Sequence, residues 1–84
     1  MYRIRTDHQV RDQIEALPNE ALEEYAQVLG VLELVPWHGN PHNDENPKGA
    51  MRNLVFGRSG RGMVIYLILE EQQYVDVLEV VWIE

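Results

Sequence analysis

Gly62-Met63-Val64-Ile65-Tyr66-Leu67-Ile68-Leu69 is an unbroken apolar run closed by Glu70 and Glu71. The run has the length of a strand, whereas a membrane-spanning helix needs about 20 apolar residues. Val, Ile and Tyr suit a pleated surface, and glycines punctuate the segment before it. A strand apolar on both sides is central in its sheet and has something lying over each face. The rest of the chain decides what that is.

Downstream, Glu70 to Gln73 reads as a turn and Tyr74 to Ile83 as the last strand. Upstream, Gly57-Arg58-Ser59-Gly60-Arg61-Gly62 is a glycine-rich turn, preceded by a strand from Ala50 to Phe56. Short turns between successive strands imply antiparallel hairpins. Pro36 to Gly49 is a loop rich in Pro, Gly and Asn, long for so small a domain. Before it, Leu22, Tyr25, Leu29 and Leu32 form a core stripe on a helix from Asn19 to Leu34. Glu20, Glu23 and Glu24 crowd its first turns, where the helix dipole favours negative charge, and read as a solvated face. Gly30 inside this helix either permits a close crossing or marks an earlier end. Leu17-Pro18-Asn19 separates it from a first helix with Val10, Ile14 and Leu17 on one stripe and Thr6 or Asp7 as N-cap. Tyr2 to Arg5 alternates like a half-buried strand.

The expected fold is therefore one α+β domain over 1–84. Its order is strand-helix-helix-strand-strand-strand, an antiparallel sheet with two helices packed on one face. The meander, however, is apolar on both faces. Met63, Ile65, Leu67 and Leu69 point one way, Val64, Tyr66 and Ile68 the other. Strict alternation on the last strand sets Leu78, Val80 and Trp82 against Val75, Val77, Val81 and Ile83. One face lacks an intrachain cover, which implies a partner or a homodimer unless the loop 36–49, with Trp37, folds across it or the sheet curls on itself.

Composition narrows the function classes. The 84-residue chain has a net charge of −7 and no cysteine, which excludes disulfide staples and cysteine metal sites. No segment has the look of a signal peptide or membrane span, so a soluble, cytoplasmic protein is expected. An acidic body argues against nucleic-acid binding by the whole surface. Yet residues 46–69 carry Lys48, Arg52, Arg58 and Arg61 and no acid, a local basic segment.

The order of elements, Leu17-Pro18 between the helices, Pro36 before a Gly-containing loop, and Met51-Arg52-Asn53-Leu54 together resemble the RelE/ParE toxin superfamily. Phe56-Gly57, Val64-Ile65-Tyr66 and Val75-Asp76-Val77-Leu78 continue the resemblance over nearly the whole chain. The resemblance implies a toxin of a type II toxin–antitoxin pair, silenced by a cognate antitoxin whose extended or helical tail supplies the missing cover. RelE-like members cut messenger RNA on the ribosome; ParE-like members poison DNA gyrase. RelE-like nucleases resemble one another in an arginine three residues before the central tyrosine, and here that place before Tyr66 holds Met63. Where they tend to carry His, Arg or Tyr near the end of the last strand, this chain has Trp82-Ile83-Glu84.

RNA cleavage needs a base for the 2′-hydroxyl, stabilisation of the phosphorane and an acid for the leaving oxygen. Met63 and Trp82 supply none of these. Arg61, on the same side of the extended chain as Met63, and Arg52, on the adjacent strand, are the candidate catalytic residues, converging on a phosphate without a metal or cofactor. Lys48, Arg58 and Trp82 are candidate nucleic-acid contacts, the cations to the backbone and Trp82 to a base. His38 and His42 are the only general bases in reach. His38, His42, Asp44 and Glu45 fit no zinc spacing, so no metal is expected. Three readings stay open: a translation-directed toxin with endoribonuclease activity, a catalytically silent binding module, and a gyrase inhibitor.

Overall fold

A computed structural model describes residues 1–83. Strand β1 (Arg3–Thr6) leads into helix α1 (His8–Glu15), where the Asp7 carboxylate accepts the Val10 N–H at 2.8 Å and caps the first turn. Pro18, extended at φ −65° and ψ 157°, sits at the N-cap of helix α2 (Asn19–Leu34). A 3-10 turn (Pro36–His38) and the two-residue strand β2 (Asn40–Pro41) follow. Strands β3 (Met51–Phe56), β4 (Gly62–Leu69) and β5 (Tyr74–Trp82) form the meander. The five strands lie in the order β1-β5-β4-β3-β2, so the apolar run is the middle strand, as its composition required.

The sheet is mixed, which corrects the expectation of a purely antiparallel one. β1 lies parallel to β5, with Arg3 opposite Tyr74 and Thr6 opposite Val77. Parallel neighbours cannot be joined by a tight turn; the helices and the first two meander strands form the connection between them. The region 36–49, read as a loop, contains β2, which pairs Asn40 with Asn53 and Pro41 with Arg52 on the outer edge of β3. Pro41 suits an edge strand, since it has no N–H to donate.

Two assignments of side chains to faces also change. On α2 the buried residues are Ala21, Tyr25, Val28 and Leu32, and Leu22 is exposed. The two stripes share Tyr25 and Leu32, so apolar periodicity alone cannot separate them. On β5 the register slips: Ile65 faces Glu79 while Tyr66 faces Val77, leaving Leu78 as the extra residue of a bulge. The bulge inverts the alternation, so Val75, Val77, Val80 and Trp82 share one face. Val80 donates its N–H to the Gln13 side chain at 2.8 Å, which ties α1 to the sheet at this point.

The core lies between the helices and this face. Val10, Leu32, Val64, Tyr66 and Val75 are fully enclosed, each contributing roughly 1.5–3 kcal/mol by burial. The Tyr66 hydroxyl donates to the Pro36 carbonyl at 2.6 Å, fastening the 3-10 turn over the same face. Gly30 lies within α2, and a methyl group there would meet nothing within 4 Å. It serves neither a close crossing nor a helix end.

Candidate functional site: an open sheet face and a cationic turn

The second face of the sheet is uncovered among the described residues. Pairing places Met51, Asn53 and Val55 of β3 beside Leu67, Ile65 and Met63 of β4. On the other side Val81, Glu79 and Asp76 of β5 lie beside Met63, Ile65 and Leu67, so the face is apolar along β4 and carries charge along β5, where Asp76 pairs with Arg5. Met51 is 41% exposed and Val55 51%, and the β4 residues are half-buried by their neighbours alone. Trp37 does not lie across this face. Its indole N–H donates to Glu70 at 2.6 Å, beside the Tyr2 hydroxyl at 2.6 Å on the same oxygen. These bonds, Tyr2 first, hold the Glu70 carboxyl below its ordinary range. They gather the N-terminus, the 3-10 turn and the β4–β5 turn. At the β2 edge of the open face, Asn53 lies 3.2 Å from His42 Nδ1.

Arg52 points to the helix side, because it pairs with Tyr66. Its guanidinium donates to the carbonyls of Gly49 (3.0 Å), Gly39 (3.1 Å) and Pro47 (2.9 Å), and lies 5.1 Å from the Trp37 ring centre. It staples the 36–49 region to β3. Beside it, burial pushes the Tyr66 hydroxyl up to about 12, with Arg52 and the Gly39 backbone opposing. Tyr66 therefore remains a hydrogen-bond donor near neutral pH. Arg61 precedes Gly62, which pairs with Phe56, four rungs from Arg52 and about 13 Å along the strand. The structure does not bring Arg52 and Arg61 together. Lys48 is exposed in the segment between β2 and β3.

Arg61 meets Arg58 and Trp82 instead, with Ser59, Glu20 and Glu24, around a cavity of about 200 Å³. Three turn residues have left-handed backbones: Gly57 (φ 90°), Ser59 (φ 65°) and Gly60 (φ 68°). Arg61 returns to the right-handed region at φ −75°, ψ −19°. The turn closes on itself, the Gly60 N–H donating to the Gly57 carbonyl at 3.1 Å. A serine in this conformation stores backbone strain. Trp82 is half-buried, with its ring 6.1 Å from Phe56, which lies 5.9 Å from Tyr25. Glu20 and Glu24 are not simply a solvated face: their i, i+4 spacing puts them on one side of α2, and the fold turns that side toward the turn, which nothing in the sequence signals. Among the described residues no three His, Asp or Glu cluster as metal ligands.

No family model and no curated protein sequence matches the chain. Solved structures do. The isolated RelE toxin of E. coli superposes with a TM-score of 0.81 at 16% identity, covering 100% of this chain and 86% of that one. The intact E. coli RelBE toxin–antitoxin complex gives 0.79 at 16% identity, covering 100% and 99%. The RelBE2 toxin–antitoxin complex of Mycobacterium tuberculosis gives 0.73 at 23% identity, covering 98% of each chain. The chain has the RelE fold.

Proposed function

We propose that this chain is a RelE-like toxin of a type II toxin–antitoxin pair, held by a cognate antitoxin over its uncovered sheet face. The observation that carries this reading is the open face itself, in a fold whose solved examples include toxin–antitoxin complexes. An apolar sheet face with no intrachain cover is a docking surface by its energetics. The toxin reading places the protein in the cytoplasm and directs it at translation. RNA would be engaged at the Arg58–Arg61 turn, with Arg61 at a phosphate and Trp82 at a base. Arg52 takes no part at the phosphate in this reading, since its donors are committed to backbone carbonyls.

One observation favours a second reading. Met63, flanked by Val55 and Val81, occupies the open face where the family resemblance puts an arginine. No proton can be moved and no phosphorane stabilised by these three side chains. That favours action without RNA cleavage, as a silent binding module or a gyrase inhibitor.

Expression in a bacterial host, with and without the neighbouring open reading frame, separates the readings. Growth arrest with messenger RNA cut inside ribosomes, relieved by the neighbour, is the outcome expected of the toxin. Arrest with DNA damage supports gyrase inhibition. Unimpaired growth at confirmed soluble expression supports the silent module. Under the toxin reading Arg61→Ala weakens arrest; undiminished arrest removes that residue from the phosphate.

A further inference from the structure

The outer edge of β3 is only partly used. The Ile68 N–H donates to the Ala50 carbonyl and the His42 N–H to the Met51 carbonyl. Even-numbered residues of β3 therefore turn their main chain to β4, and odd-numbered ones turn theirs outward. β2 meets the outward residues as far as Asn53, which pairs with Asn40, and stops there. Val55 is next in that series. No strand lies opposite it on that side, and no turn or loop backbone bonds its N–H or carbonyl among the described residues. A groove of about 420 Å³ runs beside this stretch, between Val28 and Val31 of α2 and Leu54 and Phe56 of β3. Glu24 and His38 are the titratable groups in its lining. The opposite edge of the sheet is different. β1 carries Arg3 and Arg5, charges of the kind that discourage added strands. From Asn53 to Gly57, β3 has no such guard.

An unpaired, uncharged edge beside an apolar groove takes an extended peptide as an added strand, main chain to main chain, with alternate side chains in pockets. Such a segment would continue the line of β2. Its residue opposite Val55 falls on the side of the open face, and the two flanking residues turn to the helix side, into the groove. The free window runs from Leu54 to Phe56, about 10 Å of strand. A second copy of this chain does not fit it. A twofold pairing centred on Val55 sets Gly57 of one copy opposite Asn53 of the other, where Asn40 already stands. Nor can three residues of strand bury the roughly 800 Å² per partner that a stable dimer needs. A flexible tail that continues over the open face can. Resting on the antitoxin partnership proposed above, we infer that the β3 edge at Val55 seats an extended apolar segment of the antitoxin as a further strand. Two uncharged side chains of that segment fill the groove between α2 and β3. The antitoxin thereby holds both sides of the sheet, not the open face alone.

Amide hydrogen exchange of the full chain, alone and saturated with the protein encoded by the neighbouring open reading frame, tests this. The Val55 amide is expected to exchange roughly tenfold or more slowly in the complex than in the free chain. Val31→Lys, a half-buried position on the groove wall and on the helix side of the sheet, is expected to weaken the complex by roughly tenfold or more. Should Val31→Lys fail to fold, the exchange of the wild-type Val55 amide decides. A complex in which the Val55 amide exchanges as in the free chain overturns the inference, as does a folded Val31→Lys chain that binds as tightly as the wild type. Slowing of the Val55 amide in the chain alone as its concentration rises also overturns it, and gives the edge to a second copy. A complex that Ile65→Asp breaks but that leaves the Val55 amide unprotected overturns this inference alone. The absence of any complex overturns it together with the antitoxin reading.

Discussion

Arg52 shows how a residue type can be legible and its task hidden. A cation on a strand in a basic segment suggests phosphate, yet this guanidinium is spent on the carbonyls of Gly39, Pro47 and Gly49. Those acceptors are backbone atoms of a loop whose course no periodicity predicts. Only a planar fork reaches them together, so Arg52→Lys should destabilise by roughly 1–2 kcal/mol in urea melts. A phosphate-holding Arg52 would instead lose activity at unchanged stability. Glu70 offers a second test. The Tyr2 hydroxyl, then the Trp37 indole, hold its folded carboxyl below the ordinary range. As pH falls from about 4.3, the usual value, the unfolded chain takes up this proton first, so folded stability declines through the depressed value. Above that range the contribution is fully present. Melting temperatures from neutral to acid pH should show a steeper acid decline for the wild type than for Glu70→Gln. Superimposed profiles would remove Glu70 from that role.

At the scale of elements, helices and hairpins were readable because their signals are local. Leu17-Pro18-Asn19 marks the break between helices, and the start of α2 at Asn19 follows it. Asp7 caps α1, and the apolar run takes the middle of the sheet. What was not readable depends on contacts between elements. The bulge at Leu78 comes from matching β5 to β4, and it carries Trp82 to the helix side beside the turn arginines. The parallel seat of β1 depends on which sheet edge is left vacant, a property of the finished meander. Gly30 lies inside α2 with open space where a side chain would stand. Its conformational cost has no packing benefit to offset it, so Gly30→Ala should stabilise the fold by about 1 kcal/mol. An unchanged or lowered urea midpoint would mean that this glycine has a partner or a motion to serve.

For the whole molecule, the governing fact is asymmetry. α1, α2 and the 3-10 turn all pack on the face of Val64, Tyr66 and Val75, while the face of Ile65 and Leu67 meets solvent. This asymmetry was foreseeable from the sequence, because two helices make one layer and β4 is apolar on two sides, although the register puts Asp76 and Glu79 of β5 on the open face. The cavity of Arg58, Arg61 and Trp82 lies on the helix side, so the open face and the turn proposed to engage RNA are different surfaces. The antitoxin-binding claim therefore stands or falls on the open face. The most direct test is the sedimentation of the chain with the protein encoded by the neighbouring open reading frame, comparing wild type with Ile65→Asp. A complex is expected for the wild type and free components for the variant, with unchanged far-ultraviolet circular dichroism. A folded Ile65→Asp chain that binds its neighbour as tightly as the wild type would contradict the claim.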